Sequence, residues 1–286
     1  MQKDIKILNK SEIPAQLLEI PEPPEKLYVR GELPSKESKL LCVVGSRKYS
    51  NYGKDVCEEL IRGLAGYDIT IVSGLALGID AIAHKAALKA GLKTIAVPGS
   101  GISDDVLYPA TNQPLAREIL ENNGVLLSEF EPDFRATLWS FPKRNRIEAG
   151  LCDAVLIIEA GERSGTLITA RLALDYNRDV LVVPNSVFSE HAKGSNNLMR
   201  RGATPITSSD DLLQELGFDT SVQGPTLHRK DLSPNEQKVL DLLSEPISRD
   251  ELIRELNMNM SEVNVLLSAM EIKGLIKESL GLLRKS

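Results

Sequence analysis

Long hydrophobic runs are missing from this chain of 286 residues. No apolar stretch reaches the roughly 20 residues that span a bilayer, and the opening MQKDIKILNK lacks the apolar core of a secretory signal. A cytoplasmic protein with no membrane insertion is expected. Cysteine is scarce. Cys42, Cys57 and Cys152 are widely spaced, odd in number and without a C-x-x-C pair or a Cys/His cluster. Neither a disulfide framework nor a zinc site is indicated, and the three read as small buried apolar residues in a reducing compartment. No metal and no cofactor is expected. Two nucleotide fingerprints are also missing: G-x-G-x-x-G after the first strand-like run, and G-x-x-x-x-G-K-[ST] anywhere. The first absence argues against a dinucleotide-dependent oxidoreductase, and the second leaves ATP hydrolysis without a basis. There is no excess of basic charge either. The formal net charge is -6, which argues against a surface coated with cations but leaves room for a focused basic cleft.

What is present is an ordinary globular composition, 42% apolar, in a chain long enough for one large domain and one small one. Residues 1–39 are rich in Pro and Glu and read as an extended lead-in, packed on the next domain through Leu27, Tyr28 and Val29. From residue 40 short apolar runs alternate with helical stretches. LLCVVG (40–45), ITIVSG (69–74), KTIAVPG (93–99), GVLLSE (124–129), DAVLIIEA (153–160) and DVLVVP (179–184) are apolar on both faces and rich in Val and Ile. Such runs suit strands of a covered parallel sheet. With helices expected over 51–64 and 80–90, the pattern is that of an α/β, Rossmann-like, doubly wound domain over 40–217. Residues 218–233 lack any period and read as a linker. Residues 234–286 hold three helical patterns. The first is opened by Ser233-Pro234 and the second by Ser248 with Glu251 three residues on; the third stops at Gly274. A β-like tail follows, so a small winged-helix-like domain is expected.

In an open α/β sheet ligands bind beyond the carboxyl ends of the strands. Those ends are rich here in glycine and polar groups: Gly45-Ser46-Arg47, Ser73-Gly74 followed by Gly78, Gly99-Ser100-Gly101, and Ser164-Gly165-Thr166. Glycine permits tight turns, exposed amides at a helix start suit anions, and arginine offers a fork for phosphate. One such loop is commonly just a turn. Four on one sheet edge predict a phosphate-binding rim. FPKRNR (141–146) adds Lys143, Arg144, Asn145 and Arg146 beside Phe141 and close to Trp139. Cations beside an aromatic ring are the components of a single-strand site, although a solvated basic turn leading into a helix over 147–151 reads equally well from these residues alone.

Taken in order, GSR (45–47), Tyr52-Gly53, SGLALGIDAIAH (73–84), TIAVPGSG (94–101), YPATN (108–112), Ser128-Glu129, FPKRNR (141–146), EAGERSGTLITA (159–170) and GSNNLMRRGA (194–203) resemble the DNA-processing protein A family, also called Smf. The tail resembles the winged-helix module at the C-terminus of many members. The resemblance implies a non-enzymatic protein that binds single-stranded DNA, assists loading of the RecA recombinase in recombination and natural transformation, and forms a homodimer. It puts Arg47 in the DNA pocket, and Phe141, Lys143, Arg144 and Arg146 beside it. Pro98 stands where many members have leucine, and Asn185 where glycine is common. No sterile-alpha-motif-like or helix-hairpin-helix domain is expected ahead of the Rossmann-like part.

Bland readings stand beside these. His84 reads as a packing or phosphate-contact residue before it reads as a general base, and no serine, carboxylate and histidine spacing identifies a nucleophile. His191 and His228 fall in loop-like surroundings. Asp80, Glu129 and Glu159 are expected to orient loops, because bare carboxylates repel phosphate. The third helix of the tail carries Glu262 and Glu271 with only Lys273, a poor set for reading a duplex groove; a protein-contact or domain-packing role is the better expectation. The alternative function is a nucleotide-processing enzyme of the phosphoribohydrolase type, loosely suggested by EAGERSGTLITA, although the Pro-Gly-Gly-x-Gly-Thr loop usual there is missing.

Overall fold

A computed structural model of the chain describes residues 5–219, 233–243, 245–256, 258–272, 275–279 and 281–285. The chain divides into two compact units, Met1–Gly224 and Pro225–Ser286. The expected linker straddles that division, and its residues 220–232, with His228, lie outside the described residues.

In the first unit the elements run β1 (Lys6–Asn9), α1 (Ala15–Leu18), β2 (Lys26–Arg30), β3 (Lys39–Val44), α2 (Asn51–Arg62), β4 (Ile69–Ser73), α3 (Ile79–Lys89) and β5 (Lys93–Ala96). They continue with α4 (Gln113–Glu121), β6 (Val125–Ser128), α5 (Ser140–Leu151), β7 (Ala154–Ile157), α6 (Thr166–Asp175), β8 (Asp179–Val182), α7 (Lys193–Arg200), β9 (Thr204–Pro205) and α8 (Ser209–Glu215). One sheet holds all nine strands in the order β1-β2-β6-β5-β4-β3-β7-β8-β9. From β6 to β9 the pairing is parallel.

Side chains alternate across the sheet because a strand has period two. Leu40, Cys42 and Val44 of β3 face one layer, with Leu17 of α1, Ile147 of α5 and Ala170 of α6. Leu41 and Val43 face the other, with Ile61 of α2, Ala83 of α3 and Leu212 of α8. Leu115 and Ile119 of α4 cover Ala96 and Leu126. Cys42, Cys57 and Cys152 are free thiols buried in these layers. Successive crossovers carry the chain outward from β3 to β6, then back to β7 on the other side of β3. The winding direction therefore reverses between β3 and β7, where such a sheet opens a crevice at its carboxyl edge.

Two expectations are corrected. The N-terminal segment is not merely an extended lead-in. β1 and β2 form an antiparallel hairpin, and β2 pairs antiparallel with β6, so Leu27, Tyr28 and Val29 are strand residues of the sheet. Four-residue and five-residue strands flanked by prolines leave little periodicity in sequence. The second correction is α5, which begins at Ser140 and not near 147; FPKRNR is helix, not a turn.

In the second unit, α9 (Pro234–Leu242), β10 (Ile247–Ser248), α10 (Arg249–Leu256), α11 (Met260–Ile272), β11 (Ile276–Ser279) and β12 (Leu282–Lys285) form a winged-helix arrangement with a small sheet ordered β10-β12-β11. Ser233 and Glu236 cap α9 reciprocally, and the hydroxyl of Ser248 accepts from the Glu251 amide at 3.2 Å. The core joins Val239, Leu252, Val263, Leu267, Ile276 and Leu283.

The N-terminal segment is fixed to α5 by Arg146, which donates to the carbonyl of Glu22 and to the carboxylate of Glu129, with both side chains largely buried. Removing one member of a buried ion pair strands the other. Arg146→Ala is expected to lower the stability of the first unit by about 3 kcal/mol in urea unfolding; a loss within experimental error would mean that Arg146 is solvated.

Candidate nucleic-acid interface

The crevice at the β3/β7 reversal is a cleft of about 630 Å³. Its walls come from the turn after β3 (Gly45, Ser46, Arg47, Lys48), the loop after β7 and the start of α6 (Arg163, Ser164, Gly165, Thr166), and one face of α5. Consecutive helical residues point about 100° apart, so residues spaced i, i+3, i+4 and i+7 share a face. Phe141, Arg144, Asn145 and Glu148 have that spacing, and all four line the cleft. The cations of FPKRNR consequently diverge. Arg144 goes to the floor. Arg146 turns away to Glu129 and the N-terminal segment. Lys143 lies outside the lining, its ammonium 3.7 Å from Glu129 and 5.9 Å from the ring centres of both Phe130 and Trp139.

The glycines make room for side chains. A Cβ on Gly74 would lie 2.0 Å from the Arg144 guanidinium, one on Gly99 would meet the Phe141 ring at 2.5 Å, and one on Gly78 would strike the Ser46 carbonyl at 2.4 Å. Gly78 also has φ +84, a conformation that glycine adopts without strain. The loop that holds it is braced by Asn112, whose side-chain amide donates to the carbonyls of Leu75 and Ala76 at 2.8 and 3.1 Å. Ser73 is buried and donates to the Val43 carbonyl at 2.7 Å. Gly101 packs on the backbone of Glu131 and Pro132. Ser73, Gly74, Gly78, Gly99 and Gly101 thus frame the cleft without lining it. The Ser46 hydroxyl is used within its own turn, donating to the Lys48 carbonyl at 2.7 Å.

At the mouth the Arg47 guanidinium sits 5.4 Å from the centre of the Phe141 ring, which in turn contacts Tyr108 at 5.6 Å. Arg47, Lys48 and Arg163 are exposed, and among the described residues none has a carboxylate within ion-pair distance. The sequence reading missed Lys48 and Arg163. The signal for Arg163 was its place in the loop after β7. The start of α6 has no acidic residue in its first turn, but its first amides are used locally: that of Thr166 donates to the Ser164 hydroxyl at 3.3 Å, and those of Leu167 and Ile168 donate to the Ser164 and Gly165 carbonyls at 3.1 and 3.0 Å.

The floor is different. Arg144 donates to the Val97 carbonyl and lies 3.3 Å from Glu148, with Asp80 also facing the cleft. Arg144 and Glu148 are 6% and 1% exposed, so one cation is buried beside two acids. Burial pushes the Glu148 carboxyl up to about 8; Arg144 opposes the shift and Asp80 adds to it. Asp80 is raised too, chiefly by burial, against the pull of Arg144. One Glu148 oxygen has no hydrogen-bond partner. Glu159 is structural: its carboxylate accepts from the Ser50 amide and hydroxyl at 2.6 and 2.8 Å, which fixes the start of α2. His84 is buried against Thr94, 2.7 Å away, and burial depresses it to about 3. It is a packing residue away from the cleft. His191 is exposed on the cleft rim. Among the described residues no His/Cys/Asp/Glu group could hold a metal ion, and no helix is long and apolar enough to cross a membrane.

Comparison with known proteins matches residues 4–217 to the family model of DNA recombination-mediator protein A, and residues 223–281 to the DprA winged helix domain. The chain is 39% identical over 226 residues to Protein Smf of Escherichia coli (strain K12), covering 79% of this chain and 60% of that protein. It is 42% identical over 205 residues to DNA processing protein DprA of Streptococcus pneumoniae (strain ATCC BAA-255 / R6), covering 72% of this chain and 71% of the relative. The solved structure of DNA processing protein A from Streptococcus pneumoniae superposes with TM-score 0.70 at 40% identity, over 76% of each chain. The structure describing the single-stranded DNA binding mode of DNA processing protein A from Helicobacter pylori superposes with TM-score 0.66 at 34% identity, over 74% of this chain and 95% of that one.

The buried acids set a pH dependence. Glu148 rises from an ordinary 4.5 to about 8 on folding, so its contribution is full below 4.5 and is lost as pH climbs to 8. His84 falls from 6.5 to about 3, so its contribution is full above 6.5 and is lost on acidification. The two slopes oppose each other between 4.5 and 6.5; above 6.5 the slope is that of the raised acids, Glu148 with Asp80 acting in the same sense. Thermal melts of Glu148→Gln are expected to show a smaller fall in Tm between pH 6.5 and 8 than the parent protein. An unchanged slope would mean that Glu148 is ionised throughout.

Proposed function

The chain belongs to the DNA recombination-mediator protein A family, and from that premise we propose that its cleft grips single-stranded DNA and that it hands the strand to a RecA-type recombinase, as a homodimer, in recombination and natural transformation. The observation that carries the reading is the pair at the mouth, an unpaired Arg47 guanidinium against the Phe141 ring. Charge holds a phosphate and a ring face takes a base of any identity, which is how proteins hold unpaired strands. Lys48 and Arg163 supply further positive sites for the backbone. The floor presents carboxyl groups and a guanidinium already engaged by Val97 and Glu148, so phosphates are assigned to the cations at the mouth and a base edge to the interior.

The protein is read as a binder and not as an enzyme. The one histidine in the Gly78 to Lys89 region, His84, is buried and neutral at pH 7, and the carboxylate of Glu159 is engaged with Ser50. The winged-helix unit is assigned to protein contact rather than duplex reading. On α11 the exposed positions include Met260, Glu262 and Val265, and the nearby Arg249 is held by Glu271 and Glu278.

The test is a titration of labelled oligothymidylate, and of duplex of equal length, at several salt concentrations. A preference for the single strand is expected, with a log–log salt slope of about −0.7 per phosphate neutralised. Arg47→Ala is expected to weaken binding and to flatten the slope by about 0.7. Equal affinity for duplex, or release of free base from a nucleoside monophosphate, would sink the reading.

A further inference from the structure

The chain has a single tryptophan, Trp139, and its side chain is not put away in the core. Trp139 is 55% exposed and the adjacent Leu138 is 92% exposed. Exposed apolar groups that cluster mark interaction sites. The indole is nevertheless held in a fixed orientation. Phe130 and Phe134 stack on each other with centres 4.6 Å apart, and each meets Trp139 edge-on, at 5.7 and 5.6 Å. A rigid ring braced from beneath and open to solvent is a ready surface for a flat ligand.

Cations adjoin it. The Lys143 ammonium is 5.9 Å from the indole centre. Its contact with Glu129 is the looser of two, because the same carboxylate is bonded directly to Arg146. Lys143 can therefore turn to a phosphate while Glu129 stays neutralised. Arg135, next to Phe134, is exposed. The location matters as much as the composition. Trp139 precedes Phe141 by two residues at the start of α5; residues so spaced point to different sides of a helix, so the indole stands with Lys143 off the face that lines the cleft. A strand that leaves Phe141 across the first turn of α5 meets the indole further along its length, where the ring-plus-cation pairing of Phe141 and Arg47 is repeated by Trp139 and Lys143.

We propose that Trp139 and Lys143 form a second stacking step, outside the cleft, which takes a base and phosphate further along a single strand whose first nucleotides are held at Arg47 and Phe141. The inference rests on the proposed single-strand function and adds the direction in which the strand leaves the cleft. A protein partner on the Leu138–Trp139 surface is the competing occupant.

Because no other tryptophan is present, the emission of the intact protein reports this one ring. Trp139 fluorescence and the anisotropy of an end-labelled strand are followed together, with a dinucleotide that fills only the cleft and with a longer oligothymidylate. Quenching by the long strand, and little by the dinucleotide, is expected. Trp139→Ala is expected to weaken the long strand about tenfold and to leave the dinucleotide unaffected, while Trp139→Phe restores most of the affinity. Arg47→Ala should weaken both ligands. If anisotropy reports binding but tryptophan emission and the affinity of Trp139→Ala do not change, the second step is wrong and the single-strand reading survives. If the parent protein binds no single strand by anisotropy, both fall. The quenching measurement uses the unaltered protein, so a poorly folded variant cannot mask the result.

Discussion

The guanidinium of Arg144 touches nearly everything that shapes the cleft. It donates to the carbonyl of Val97 just after β5, lies over Gly74 at the end of β4, and faces Glu148 one turn further along α5. A buried guanidinium has no stable place without acceptors, so these partners fix the position of α5 relative to the strand ends. Phe141, one turn before Arg144 on the same helical face, is thereby set against Gly99 and beneath Arg47. The mouth has its chemistry because the floor is locked. Arg144 commits its Nε and Nη1 to these partners and to Asn145.

This changes what the glycine-rich strand ends do. A rim of backbone amides and a rim of side chains need the same glycines for different reasons. Here Gly74, Gly78 and Gly99 are sites where a Cβ would collide with Arg144, with the turn preceding Arg47, or with Phe141. The rim is one of side chains, since the first amides of α6 are taken by Ser164 and Gly165. Asn185, where the resemblance implies a glycine, fits the same logic. It is not among the residues with positive φ, and its carbonyl accepts from the Asn196 side chain at 3.1 Å, so the position makes no demand that only glycine could meet.

The strands of the parallel sheet were legible because each is a short Val- and Ile-rich run covered on both faces, and their ends pointed to the cleft because the winding rule needs only strand order. The helices of the winged unit were legible from their caps. The start of α5 was not. Trp139 occupies its N-cap without a side-chain cap bond, and Pro142 in the first turn reads in sequence as a loop residue although proline is well tolerated there. With the helix begun late, the 100° rotation per residue was not applied to Lys143, Arg144 and Arg146, and three cations that diverge were grouped as one arm. Lys48 and Arg163 were passed over because the exposure of a loop cation depends on tertiary placement. The hairpin of β1 and β2 was hidden by its shortness and its prolines, and α8 by an aspartate at the capping-box position, where Asp211 answers Ser208.

The distribution of charge bears on which nucleic acid the cleft can take. The chain as a whole has net charge -6, and a duplex, with its rigid and dense line of phosphates, would meet that field along a long contact. At physiological ionic strength charges are screened beyond about 8 Å, so a flexible strand entering a cleft meets the local cations and little of the rest. Arg47, Lys48 and Arg163 are gathered within that range of the cleft, whereas the acids on its floor are buried and Glu148 retains a proton near neutrality. On the proposed reading an acidic protein needs no basic coat, because Arg47, Lys48 and Arg163 line the cleft with no carboxylate within ion-pair distance among the described residues.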